Sequence, residues 1–569
     1  MSQAISTYQV LDDRLAVSDS INFGVAVGAQ SINQQTFASQ TASPSQVSIN
    51  ALIPSLQTVI DRHLVVRSTI QLTITGTLAA AGNFLLNYPT NFALSPFPFS
   101  QLVNTMSCQI NNTTVNSNYA DNLATMLRQM TPDGLAKYSD TCPTQLDTYQ
   151  QFATTGTLSP FQNILNANDT KVLPRGAWIL DSIVGNTAAA LGDLNRSVVI
   201  TFTTTEPIFC SPFLFGDVMD EHNSGLSGVS SLNFNFNLGN VGRMFGWKPA
   251  NANDALTGAS VAFTKCELLA TFLSPKPSQL IPLTCSLPYY ELNTYRSAFN
   301  TGEAAGSDII VQSSIISPNC IPDKVYIQVR PQDEATTQGR ALRPNYRFPI
   351  SNVSITWNTQ SGMMASATIQ DLYEMSKRAG LKQTYLEFIG VAGGSGTGDS
   401  GASAAVRLSG GIICLNFNEM LPIMEQYYSS SSLGQWTFSV AVKIRNTLTT
   451  AIPPYELLTT FFQSGVFQST SGSSSQYVGV LSKDEVLRVA QEAPTVQSQH
   501  YRMIGGAIPS WLSSAIKSSS GKLLDFGKDM LLPAAAKVAK EELRKGDSKL
   551  GHIASAGLGA LGYGRPRVR

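Results

Sequence analysis

At 569 residues the chain exceeds what one ordinary core supports, so two or more domains are expected. It is 43% hydrophobic but only 13% charged, about half the usual charged fraction, with Lys+Arg and Asp+Glu balanced at 38 each. No run of about 18 apolar residues occurs, which excludes a spanning helix, and Met1–Leu15 lacks the basic-then-apolar pattern of a secretion signal.

The first 50 residues are rich in Gln, Ser, Thr and Asn, with Arg14 the only basic residue, and read as an extended arm. A first strand-rich domain is expected over 51–275. Ile70, Leu72 and Ile74 alternate with Gln71, Thr73 and Thr75, the period of a strand with one wet face. Ser197–Phe209 is β-branched, Leu232–Leu238 ("LNFNFNL") alternates cleanly, and Ala259–Leu273 comes next. One helix is expected near Asn122–Met130. Residues 276–282, in "SPKPSQLIP", form a linker, because its prolines stop helix and central strand alike.

A second domain of the same character is expected over 283–480. Its strands are Lys324–Arg330, Asn352–Asn358, Thr384–Ala392, the "GGIICLNF" run and Gln435–Asn446, where Trp436, Phe438, Val440, Val442 and Ile444 share a face. A helix is expected from the spacing of Ile369, Leu372, Tyr373 and Met375/Ser376, with Gly380 ending it. Leu232–Asn237 matches Val353–Asn358 apolar for apolar and is taken as its counterpart. From Ser482 the pattern becomes helical, opening on a Ser482–Glu485 capping box. Residues 501–569 hold 12 Lys/Arg against 5 Asp/Glu, leaving 26 against 33 in the rest: a basic, partly amphipathic helical tail (481–569) on a mildly acidic body.

The chain offers little for chemistry. Gly396–Gly401 fits G-x-G-x-x-G, but residues 402–418 run into a strand rather than a helix, so an inter-strand loop is expected. The same loop contains Gly-Asp-Ser-Gly, yet His63, His222, His500 and His552 stand in no triad-like context. Seven dispersed cysteines with no C-x-x-C pair read as buried free thiols of a reducing compartment. No enzyme, metal or cofactor site is expected.

Several ordered segments carry a resemblance: "SPFLFG" then "GLSGVSSLNFNFNLGN"; "LPYYELNTY" after the linker; "FPISNVSITWNTQSGMMASATIQDLYEMSKRAG"; and "GGIICLNFNEMLPI" before "GQWTFSVAVKIRN". Over Ser211–Phe462 the chain resembles the double jelly-roll major capsid proteins of polinton-like viruses, adintoviruses and virophages. The resemblance implies an all-β chain of two tandem eight-stranded jelly rolls with short loop helices. It implies homotrimers forming pseudo-hexagonal capsomers of an icosahedral shell in the virion. It also implies penton and minor capsid proteins as partners and often an internal membrane.

"MIGGA" (Met503–Ala507) fits an adenovirus-type maturation-protease pattern, with the cut between Gly506 and Ala507. The segment beyond it resembles an amphipathic membrane-lytic peptide. Trp511, Leu512, Ile516, Leu523 and Phe526 lie on its apolar faces, and Arg565, Arg567 and Arg569 on its basic end. Such a tail faces an internal membrane or the genome, without sequence-specific nucleic-acid binding. Two rivals are a single jelly roll with a protruding domain and a non-viral β-sandwich carbohydrate-binding protein. The lone Arg14 before Arg62 counts against the first, and the lack of paired carboxylates against the second.

Overall fold

In the computed structural model, the alternation around Ile70 falls in a 13-residue strand. Its Val66, Ile70, Leu72 and Ile74 are buried while Arg67 and Gln71 face water. The structure describes residues 30–80, 85–86, 92–138, 177–179, 184–185, 194–213, 224–247, 253–276, 281, 284–332, 347–392, 406–407, 410–421, 432–446 and 451–479. The expected tail, its capping box and the Gly396–Gly401 loop lie outside them, as do His222, His500 and His552.

Eight principal strands frame the first half, with four shorter ones of two or three residues beside them: β1 (Ser31–Ala42), β2 (Gln46–Leu52), β3 (Val65–Thr77), β4 (Val103–Ile110), β5 (Thr113–Asn118), β6 (Asn195–Pro207), β7 (Ser231–Leu238) and β8 (Ala255–Ser274). They pair antiparallel in the orders β1-β8-β3-β6 and β2-β7-β4-β5; the second half of β1 crosses over to join β2. Eight principal strands likewise frame the second half: β9 (Thr284–Phe299), β10 (Asp308–Gln312), β11 (Lys324–Pro331), β12 (Ile350–Trp357), β13 (Gln360–Met363), β14 (Ile413–Asn416), β15 (Phe438–Arg445) and β16 (Tyr455–Thr470); a further strand, Ser473–Val478, pairs with β16. Their orders are β9-β16-β11-β14 and β10-β15-β12-β13. Each is the first-half order with eight added, so the chain holds two jelly rolls of one topology.

The local chemistry repeats as well. Both β4–β5 and β12–β13 are hairpins closed by two residues, and the first of each pair is an asparagine with positive φ, Asn111 at 53° and Asn358 at 51°. Asparagine tolerates that region better than most side chains. Each hairpin then leads into the longest helix of its roll: α1 (Tyr119–Gln129) and α2 (Ile369–Arg378). Asn118 caps α1, accepting from the Asp121 amide. Thr368 and Asp371 cap α2 in a reciprocal box, and Gly380 comes after it with φ 115°.

Three expectations change. The arm expected over 1–50 is strand from Ser31 onward: Ser39–Ala42 pair with β2, and Val47, Ile49 and Ala51 of β2 are fully buried. The lack of charge from Ser31 to Asn50 goes with the place of these residues within a sheet. Thr384–Ala392, expected as a strand, is instead a short helix at Tyr385–Ile389, with only Val391–Ala392 extended. Thr384 and Glu387 cap it reciprocally, the Thr384 amide donating to Glu387 at 2.6 Å. That box overrides the β propensity of "TYLEFI". Finally, Leu232–Asn237 lies in β7, the seventh strand of its roll, whereas Val353–Trp357 lies in β12, the fourth of the other. The counterpart of β7 is β15. Alternation matches the two segments because any half-buried strand alternates.

Six cysteines lie among the described residues and all are free. Burial pushes the Cys210 and Cys414 thiols up to about 12 and those of Cys266 and Cys320 up to about 11, and it raises Cys108 well above its ordinary value. A thiol so far above ambient pH is a poor nucleophile. Iodoacetamide at pH 8 is therefore expected to leave these five unmodified in the native protein and to label them after unfolding, as read by peptide mass spectrometry. Cys285, half-buried, is the expected exception.

Candidate functional site: the seam between the two rolls

Helix α1 leaves the first roll and lies across the outer face of the β9-β16-β11 sheet of the second. Its first turn carries a buried carboxylate, Asp121. Two guanidinium groups from the second roll grip it. From β9, Arg296 donates through Nε at 2.9 Å and through a terminal nitrogen at 2.8 Å. From β11, Arg330 donates at 2.7 Å. Arg330 also donates to Glu456 of β16 at 2.6 Å and to the Ala120 carbonyl at 2.5 Å. Arg330 and Glu456 are cross-strand partners, so the sheet register fixes their pairing.

These charges are desolvated: the side chain of Asp121 is 1% exposed, Glu456 8% and Arg330 11%. Arg330 offers its fork to two acids and a carbonyl together, a geometry that lysine lacks. Further along α1, Asn122 accepts from Thr294 at 2.9 Å, Thr125 from Gln328 at 3.2 Å, and Arg128 donates to the Gly410 carbonyl at 3.3 Å. At the other end of the seam the Asn111 turn region meets the strand after β16, Ser473–Val478. There Thr113 donates to the Ser474 carbonyl at 2.6 Å, and the Ser474 amide to Asn112 at 2.7 Å.

The apolar packing tells the same story. Along β11, β14 and β16, consecutive buried residues divide between two clusters. Val325, Ile327, Ile413, Leu415 and Phe461 pack into the second roll's own core. Tyr326, Cys414 and Phe462 belong instead to the cluster that fills the first roll, joined by Leu287, Tyr289 and Phe467. The second roll's first sheet is thus covered on both faces, and the two rolls form one block.

Among the described residues there is no group of three metal-ligating side chains and no helix long and apolar enough to cross a membrane. His63 is exposed and pairs with Asp61 at 2.6 Å. Gly506, Ala507, Trp511, Leu512, Ile516, Leu523, Phe526, Arg565, Arg567 and Arg569 all lie outside the described residues. Composition and periodicity missed the seam, because the two charged residues of α1, Asp121 and Arg128, read as ordinary surface charges in the sequence.

The comparisons agree with this architecture roll by roll. Residues 4–273 match the family model of the Sputnik virophage major capsid protein 1st domain, and residues 292–465 that of the major capsid protein V20 C-terminal domain. The chain belongs to the virophage major capsid proteins. It is 26% identical to the putative capsid protein V20 of Sputnik virophage, over 99% of this chain and 94% of that one. Two solved structures share the fold. One is that of the Sputnik virophage determined by cryo-EM, with TM-score 0.73 and 24% identity over 88% of this chain and 99% of that one. The other is the crystal structure of the mavirus major capsid protein, with TM-score 0.67 and 16% identity over 87% and 99%. As a virophage-type major capsid protein the chain is a structural component of the virion shell. The single-roll and carbohydrate-binding alternatives are set aside, because the chain holds two rolls of one strand order and a capsid family model matches each half.

Proposed function

We propose that three copies of this capsid protein assemble into a six-lobed capsomer, one roll to a lobe, and that such capsomers tile an icosahedral shell. The reading rests on one observation: two rolls of identical strand order are locked through a buried seam. Each chain is then a rigid two-lobed block, and three blocks supply six near-equivalent lobes, the shape that hexagonal tiling needs. The work is assembly without catalysis, and penton and minor capsid proteins are the partners at vertices and beneath the shell. Electron microscopy of the purified chain tests this. Six-lobed particles are expected, and a population of isolated two-lobed particles at high concentration contradicts it.

The strand runs Ser31–Ser274 and Thr284–Val478 support the division into a first roll, a linker over 276–282, a second roll and a tail over 481–569. In the tail the surplus of positive charge over 501–569 and the apolar positions from Trp511 to Phe526 support an inward-facing role against a membrane or the genome. That role works by charge and amphipathicity, not by reading bases. Cleavage between Gly506 and Ala507 is part of the same proposal. Mass spectrometry of mature particles is expected to find the body ending at Gly506; an intact chain through Ala507 contradicts it.

A further inference from the structure

Helices α1 and α2 each come after the fifth strand of their respective rolls and align without a gap. Asn118 matches Thr368 as cap, Asp121 matches Asp371 at the third helical position, and Arg128 matches Arg378 at the tenth. In α1 both charged residues are buried against the second roll. In α2 the aligned Asp371 and Arg378 are exposed, and so is Glu374 between them.

The sheets that receive the helices differ in the same sense. The outer face of β9-β16-β11 is covered by α1. Its counterpart in the first roll, β1-β8-β3, turns Arg67, Gln71 and Lys265 to solvent. Each chain therefore has one helix seated and one unseated, one sheet covered and one open. We propose that α2 of one chain docks on the outer face of the β8–β3 pair of a second copy, repeating between chains the contact that α1 makes within the chain.

The proposal rests on the capsomer reading above and names its interface. The contact is heterologous, helix on sheet, and a heterologous contact either closes a ring or runs on as a filament. Because seams within and between chains alternate, a ring contains whole chains, and closure at three gives six lobes. Charge fits the pairing. Asp371 and Glu374 are acidic and exposed. Arg67 and Lys265, with side chains 44% and 62% exposed, stand on the receiving sheet, where Glu267 holds both at 3.7 and 2.8 Å. The two seams also differ in kind. Within the chain the Asp121–Arg330–Glu456 charges are largely buried, whereas the proposed contact presents solvated charges and a face of Gln and Thr side chains. Capsomers should therefore come apart into chains under conditions that leave the two rolls joined.

Two charge-swapped variants of the full chain test the inference by light scattering on a sizing column. Glu374→Arg/Arg378→Glu keeps an opposite-charge pair four residues apart on the helix, so folding is preserved. Arg67→Glu/Lys265→Glu alters the receiving sheet. Each is expected to be monomeric at a concentration where the wild type is wholly trimeric, with thermal unfolding of the Glu374/Arg378 variant matching that of wild-type monomer obtained by dilution. Hydrogen exchange in the wild type gives a second reading: α2 amides are expected to exchange more slowly in the trimer than in monomer obtained by dilution. Trimers that survive both swaps, with α2 exchanging alike in both states, overturn this interface and leave the capsomer reading standing. A wild type that never trimerises overturns both.

Discussion

Replacing Arg330 by Met is expected to destabilise the folded chain by about 3–5 kcal/mol, the usual consequence of removing one partner from a buried ion pair. Asp121 and Glu456 would both remain desolvated, facing each other across the space the guanidinium filled. Arg296 cannot take over: its side chain is 46% exposed and it already grips Asp121 from the β9 side. The loss should appear in denaturant unfolding as a lower midpoint, and as two separated transitions if the rolls uncouple before they melt. A triple variant, Asp121→Leu/Arg330→Met/Glu456→Leu, separates the causes. It leaves no buried charge alone and should recover most of the stability. If it stays as weak as Arg330→Met, packing rather than uncompensated charge dominates the seam.

Trp357→Ala is the second large effect, expected at about 3–5 kcal/mol for a buried aromatic truncated to alanine. Trp357 is 3% exposed at the end of β12. Its ring stacks on Trp436 with centroids 5.5 Å apart, and meets Phe417 edge-on at 5.1 Å and Phe438 at 6.3 Å. Those neighbours come from the segment before β15, the helical turn after β14 and β15 itself, so the cavity left behind would border both sheets of the second roll. The seam contacts of α1 lie on the opposite face of the first of those sheets. Hydrogen exchange should therefore show protection lost mainly across β12 and β15, with α1 less affected.

The strands most legible in the sequence are those with one dry and one wet face. Leu232, Phe234 and Phe236 of β7 are buried while the asparagines between them are not, and β15 behaves the same way. Where both faces are covered the alternation vanishes: Ile413, Cys414 and Leu415 are all buried, as is every residue from Tyr455 to Gln463. Covered strands of this kind exist because of the seam, and no local pattern announces it. Asp121, Arg296, Arg330 and Glu456 are scattered over more than 300 residues and look like ordinary surface charges until the sheets bring them together. The matching of β7 with β12 fails for a related reason. Alternation reports which face is buried, whereas place in the roll depends on partners far along the chain. The better local marker of duplication is the turn asparagine, Asn111 and Asn358, each preceding a helix with aspartate at its third position.

The central claim is that one chain supplies two lobes of a six-lobed particle. Native mass spectrometry of the assembled, uncleaved particle weighs that claim directly. Three copies of the 61.1 kDa chain are predicted. A six-lobed particle containing six copies would assign one lobe to each chain and contradict it.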